Sequence, residues 1–232
     1  MNFLLTTPPL NVFEHMALDE TLVRARHGEI TLRLYNWAPG DAVTFGYAQS
    51  VNQVRASVQA QAFAREICRR PTGGGLVYHT EDLTFSLIFP SQKRPTEIYQ
   101  QFHGAVQAAL VLSGISSTIF AQKLPAAAYA PTQHHTASAC FTNPVENDLL
   151  QPNGQKMLGG AIRRFGDTVL YQGSLQIAHA RQNPLCTHAI IQAVRGFLQT
   201  DFQAQRVDET LLQTARALAQ TQYKTSAWTE KF

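Results

Sequence analysis

The chain has 232 residues, 44% hydrophobic and 15% charged, enough length and apolar content for one large domain with a sizeable buried core. Nineteen basic against sixteen acidic residues leave a formal charge of +3, too mild a surplus to argue for a nucleic-acid partner. No apolar run approaches membrane-spanning length, the N-terminus lacks a basic leader pattern, and three cysteines cannot all pair, so a cytoplasmic, reducing setting with no membrane partner is expected.

Asn11 with Glu14 three residues on reads as a helix start, with Phe13, Met16, Ala17 and Val23 as a partly apolar face and an end near Gly28. Residues 30–37 and 42–47 are rich in β-branched and aromatic types and flank Ala38-Pro39-Gly40-Asp41, which predicts a hairpin. Residues 76–79 and 83–89 predict a second strand pair. Thr96 opens a helix whose Tyr99, Phe102, Val106, Ala109 and Leu110 keep helical spacing until Gly114, and a strand follows at 116–120. The stretch 121–136 has no period and is expected to be a surface loop. Residues 145–150 and 155–163 flank a turn at 151–154, a further strand covers 168–177, and helices start at Asn183-Pro184 and at Asp208. The expected fold class is α+β, a mixed, mainly antiparallel sheet flanked by helices, in a single domain over 1–232.

Arg69 and Arg70 precede Pro71, Thr72 and three consecutive glycines, Gly73, Gly74 and Gly75, before a strand-like run that ends at His79. Glycine lets a ligand approach backbone N–H groups, and arginine offers a planar, permanently charged fork, so the segment suits an anionic or strongly polar ligand. A tight turn with solvated arginines fits the same residues. The run lacks the glycine-lysine-serine/threonine ending of a P-loop. His134 and His135 lack metal-ligand spacing, and no metal is assigned. Cys140 reads either as a nucleophile or as a small buried hydrophobe, whereas Cys68 and Cys186 fall in strand-like and helical stretches and read as packing. Lys156, after an Asn-Gly turn, is either a solvated hairpin residue or a partner for a thiol; Gly159 and Gly160 mark a close approach or a bulge.

The ordered set of motifs is similar to the catalytic domain of the biotin/lipoate A/B protein ligase family. The Arg70–glycine segment, Ser138-Ala139-Cys140-Phe141, Pro144, Asn147-Asp148-Leu149 and Gly154-Gln155-Lys156-Met157-Leu158-Gly159-Gly160-Ala161 carry the resemblance. His15 to Glu20, Leu32 to Trp37, Thr44 to Tyr47 and Tyr223 to Trp228 extend it over nearly the whole chain. Cys140 with Phe141, Pro144 and Asp148 looks like the cysteine-dependent octanoyltransferase branch; Lys156 follows Cys140 by sixteen positions, one more than that pattern implies. The resemblance implies catalytic Cys140 and Lys156, with Arg70, Thr72, Gly73, Gly74, Gly75, His79, Gly159 and Gly160 around the acyl group. It further implies transfer from acyl carrier protein to a lysine of a lipoyl-domain or glycine-cleavage H-type protein, with no cofactor and no C-terminal accessory domain. The Asn147-Asp148-Leu149 run also resembles the ligase branch, which would need ATP and magnesium, with or without a separate accessory chain, and a non-catalytic lipoyl- or biotin-binding scaffold is the third reading.

Overall fold

The computed structural model of the protein describes residues 2–25, 28–61, 66–123 and 144–232. In chain order these form β1 (Asn2–Thr6), α1 (Val12–Ala25), β2 (Ile30–Leu34), β3 (Ala42–Phe45), α2 (Val51–Gln61), β4 (Glu66–Arg69), β5 (Val77–His79), β6 (Leu83–Pro90) and α3 (Pro95–Leu112). There follow β7 (Thr118–Ile119), β8 (Leu149–Leu150), β9 (Lys156–Phe165), β10 (Thr168–Leu175), α4 (Pro184–Leu198), β11 (Gln203–Arg206), α5 (Glu209–Leu218), a π-helical turn (Ala219–Tyr223) and α6 (Ser226–Thr229).

An eight-stranded sheet runs β11-β1-β2-β6-β10-β9-β8-β7, parallel only where β1 meets β11 and β2. Its central strands are buried on both faces, and their period of two divides the core. Phe85, Leu87 and Phe89 of β6 join Val169 and Tyr171 of β10 under α3 and α4, while Ile88 and Leu170 point the other way, toward α1, α5 and the π-helical turn. A second sheet, β4-β3-β5, packs Val43, Phe45 and Leu76 against α2.

Local signals set the helix ends. The Asn11 side chain accepts from the N–H groups of Phe13 and Glu14 at 3.1 and 3.0 Å while Glu14 accepts from Asn11 N–H, a reciprocal cap that starts α1. Asn183 and Asp208 cap α4 and α5 in the same sense, Asn183 with Pro184 in the first turn.

The strands expected on either side of 151–154 pair as antiparallel β8 and β9, but the first two expected strand pairs do not form. Strand β2 pairs with β1 on one side and β6 on the other, so it has no free edge for β3. The chain between them is held instead by Leu10, which accepts from Ala38 N–H and donates to Asn36 carbonyl, and β3 goes to the small sheet. Strands β5 and β6 likewise separate: β5 pairs with β3, while β6 lies between β2 and β10. The turn between them is anchored by Asp82, whose buried carboxylate binds side chains of both sheets. Strands β1 and β11 and the helices α2 and α6 add elements beyond those expected.

The glycine segment is laid directly on β3. A Cβ at Gly46 would sit 1.9 Å from the Gly74 carbonyl oxygen, and Gly74 itself has φ +87°, so both positions require glycine. Gly46→Ala should push the segment off β3 and lower the melting temperature, whereas Gly104→Ala, inside α3 with nothing within 4 Å of its added methyl, should stabilise the fold by about 0.5–1 kcal/mol. Thermal unfolding of both variants checks this contrast.

Candidate active site

A pocket lies between the two sheets on the α1 side. Met16 of α1, Tyr35, Thr44 of β3, Arg70, Val77 and His79 of β5, and Thr84 of β6 line it, and Gly159, Gly160 and Ala161 of β9 with Gln172, Gly173 and Ser174 of β10 close it. Alternation places the polar side chains: Thr84 and Ser86 of β6, and Gln172 and Ser174 of β10, project to the face that also holds Ile88 and Leu170.

Two buried carboxylates organise these groups. Asp19 of α1 accepts from Arg33 Nε at 3.0 Å, Ser86 Oγ at 2.6 Å and Gln172 Nε2 at 2.7 Å, and also from Arg33 Nη2 and the Tyr35 hydroxyl. The Arg33 Nη1 donates to His15 Nδ1 at 2.8 Å; since arginine has no acceptor, the His15 proton sits on Nε2, which faces the Asn36 carbonyl at 3.2 Å. Burial and the neighbouring Arg33 charge hold His15 well below the usual histidine range, so it stays neutral. Burial likewise pushes the Tyr35 phenol up, with the Asp19 charge adding to it.

Asp82, at the start of β6, accepts from Ser174 Oγ and Thr84 Oγ1, both at 2.6 Å, lies 2.9 Å from His79 Nδ1, and pairs with Arg181 at 3.4 Å. Burial alone would raise its carboxyl, but the His79 charge and these hydrogen bonds bring it below the usual carboxylate range. On its other side His79 Nε2 meets Thr44 Oγ1 at 2.9 Å, and Trp37 stacks on the ring at 4.7 Å.

The paired arginines brace the chain. Arg70 donates to the Gly73 carbonyl at 2.6 and 3.1 Å, the Gly75 carbonyl at 2.7 Å and Thr44 Oγ1 at 3.3 Å, so the carbonyls of Gly73 and Gly75 turn toward Arg70. Arg69 binds the carbonyls of Gln49, Trp228 and Thr229 at 2.7–3.0 Å. Thr72 donates to Gln172 Oε1 at 2.6 Å, which connects the glycine segment through Gln172 to Asp19.

Of the residues expected from sequence, Arg70, His79, Gly159 and Gly160 share the pocket wall, and Thr72 touches the wall residue Gln172. Gly73, Gly74 and Gly75 stand behind Arg70. Gly159 and Gly160 pair regularly with Ser174 and Gly173, with no bulge at either. The space beside Gly160 is filled by Tyr171, whose hydroxyl lies 2.1 Å from where a Cβ would be. Lys156 heads the same strand, three residues or about 10 Å from Gly159, and is not itself a wall residue. It is buried and ion-paired, Nζ to Asp148 Oδ2 at 2.7 Å. Burial raises the Asp148 carboxyl against the opposing pull of Lys156. Cys140, His134 and His135 lie outside the described residues. Cys68 and Cys186 are buried, and burial pushes both thiols up, as suits packing residues.

The sequence reading missed Asp19, Asp82, Gln172 and Ser174. A signal was available: polar residues at every second place in strands otherwise apolar enough to be buried on both faces, and carboxylates within the apolar first helix.

Residues 11–215 match the lipoyl protein ligase A/B catalytic domain model. The chain belongs to that family. Octanoyltransferase LipM of Symbiobacterium thermophilum is 32% identical over 168 residues, 70% of this chain. The chain spans 60% of that relative's length. In fold, it is similar to the Thermoplasma acidophilum protein Ta0514 with bound lipoic acid, at a TM-score of 0.77 and 20% identity over 100% of this chain and 98% of that one. A lipoate-protein ligase A bound with ATP is similar at a TM-score of 0.74 and 21% identity, over 99% of this chain and 98% of that one. Among the described residues no helix is long and apolar enough to cross a membrane, and no group of three or more His, Cys, Asp or Glu side chains is placed to hold a metal ion.

A buried histidine gives the site an acid signature. His103 of α3, with burial as the main cause, is pushed down to about 4. Its folded pKa lies below the unfolded value of about 6.5, so the unfolded chain takes up a proton first and stability falls as pH drops from 6.5 toward 4. The loss from this one group should reach about 3 kcal/mol between pH 7 and 4. Urea unfolding at pH 7 and 4.5 should show a smaller loss for His103→Gln than for wild type.

Proposed function

We propose that this protein transfers an octanoyl or similar lipoyl-type chain from acyl carrier protein to a lysine of a lipoyl-domain or glycine-cleavage H-type protein, through a thioester on Cys140. The observation that carries this reading is the internal pairing of the pocket's polar side chains. His79, Thr84, Ser174, Gln172 and Tyr35 all have partners within the protein. A ligand entering such a pocket needs no polar tail, which suits an alkyl chain. A fused urea ring of the biotin type would bring buried donors and acceptors that need partners of their own.

In the first half-reaction the Cys140 thiolate attacks the carrier thioester, the tetrahedral intermediate collapses, and the carrier thiolate leaves and takes up a proton. The acceptor lysine, as a neutral amine, then attacks octanoyl-Cys140; an amide forms, Cys140 departs as thiolate, and the amine proton is released. Lys156 favours the Cys140 thiolate by its charge and serves the proton transfers, with Asp148 holding its ammonium. Arg70, Thr72, Gly73, Gly74, Gly75 and His79 build the acyl pocket from one side, Gly159 and Gly160 from the other. Each step exchanges one acyl linkage for another, so no nucleotide, metal or other cofactor enters, and a reducing compartment such as the cytoplasm keeps Cys140 as a thiol.

Incubation with octanoyl-carrier protein and an acceptor domain, without ATP, should give an octanoyl thioester on the Cys140 peptide and an amide on the acceptor. Cys140→Ser should stop turnover. Wild-type transfer by the serine variant would end the thioester route, and acyl transfer only with lipoate and ATP, accompanied by pyrophosphate, would assign the protein to the ligase branch.

A further inference from the structure

Lys156 is held by Asp148, and Asp148 sits on a corner that the rest of the molecule must fix. Asn147 adopts φ +74°, a left-handed conformation that asparagine tolerates better than most residues. The corner's outer bonds are all to backbone: Asn147 N–H to the Phe120 carbonyl at 2.8 Å, Phe120 N–H to the Asp148 carbonyl at 2.8 Å, and Asp148 N–H to the Val145 carbonyl at 2.9 Å. The Asp148 carboxylate accepts from Val145 N–H at 2.6 Å and from Lys156 at 2.7 Å. The Asn147 carbonyl turns inward, where His103 meets it.

His103 lies on the inner face of α3 and is 1% exposed. Its Nδ1 is 2.7 Å from the Asn147 carbonyl oxygen and its Nε2 is 2.8 Å from the Tyr171 hydroxyl. A carbonyl only accepts, so Nδ1 carries the proton, and in the neutral ring Nε2 accepts from Tyr171. Tyr171 in turn fills the space beside Gly160, a wall residue of the pocket. One imidazole therefore joins the corner that holds Lys156 to the wall that holds the acyl group. An apolar ring of the same size would pack there and make neither bond.

Resting on the reading that Lys156 serves acyl transfer, we infer that His103 is a positioning residue for Lys156, clamping the Asn147–Asp148 corner and tying it through Tyr171 to the pocket wall at Gly160. Its effect is on where the ammonium stands, so it is separable from catalysis itself. The readout is the accessibility of the Lys156 amine to an N-hydroxysuccinimide acetate reagent at neutral pH, mapped by mass spectrometry with the exposed Lys93 and Lys224 as references.

His103→Leu should raise Lys156 labelling ~10-fold, equivalent to about 1.4 kcal/mol of lost protection, while Lys93 and Lys224 are unchanged. His103→Asn, whose amide nitrogen takes the place of Nδ1 and can donate to the Asn147 carbonyl, should stay within ~3-fold of wild type, about 0.7 kcal/mol. Phe102→Leu, an equally buried neighbour that makes no such bond, controls for general loosening of the core and should leave Lys156 protected. Equal labelling of wild type and His103→Leu, or an equal rise in Phe102→Leu, overturns the inference. Should His103→Leu fail to fold, His103→Met, which fills the space and cannot donate to the carbonyl, replaces it with the same expected and contrary results. In the octanoyl assay, His103→Leu should lower kcat and spare KM. A wild type that transfers no octanoyl but shows the labelling pattern refutes the functional reading and leaves the positioning role standing.

Discussion

The Asp19 carboxylate accepts hydrogen bonds from Arg33, Tyr35, Ser86 and Gln172, so α1, β2 with the residue just after it, β6 and β10 converge on one fully buried charge. Taking a carboxylate and a guanidinium out of water costs several kcal/mol per ion, a loss offset only when geometry and extra hydrogen bonds are both good. Here the compensation is broad, because the carboxylate has four side-chain partners and Arg33 also binds His15 and its carbonyl. Removing one partner of such a pair strands the other and typically costs about 3–5 kcal/mol. The pair therefore does more to select one arrangement of helix and strands than to add net stability.

From this centre the constraint passes to the pocket. Gln172 spends its amide nitrogen on Asp19 and its carbonyl oxygen on Thr72, and Arg70 and Gly46 fix the three glycines that follow. Asp82 performs the same service at the other end, binding Ser174, Thr84 and His79 from three strand segments. The polar groups around the cavity are thus oriented before any ligand arrives, which spares a bound chain the ordering of its own site.

Much of the element pattern could be read from residues. The reciprocal Asn11–Glu14 cap, the Asn183-Pro184 and Asp208 helix starts, and the apolar spacing of α3 all act locally, so their signals survive without knowledge of the fold. Strand partners could not be read in the same way. Residues 38–41 have hairpin chemistry, yet β2 has both edges occupied by β1 and β6, a fact set by chain segments distant in sequence. Strand β11 (Gln203–Arg206) is exposed throughout and has no large apolar residue to mark a buried face. The arginines show the limit most clearly. Residue type marks Arg69 and Arg70 as anion forks, but most of their hydrogen bonds go to backbone carbonyls, which leave no trace in the sequence.

Lys156 is buried against Asp148 at the head of the strand that lines the pocket, and the proposed thioester route has it lower the pKa of Cys140. The most direct test is the pH dependence of Cys140 alkylation in wild type and in Lys156→Ala, read by mass spectrometry of the Cys140 peptide. A thiolate favoured by the lysine predicts a wild-type midpoint below the ordinary thiol value and a variant midpoint that moves up toward about 8.5. Superimposable curves for the two proteins would contradict it.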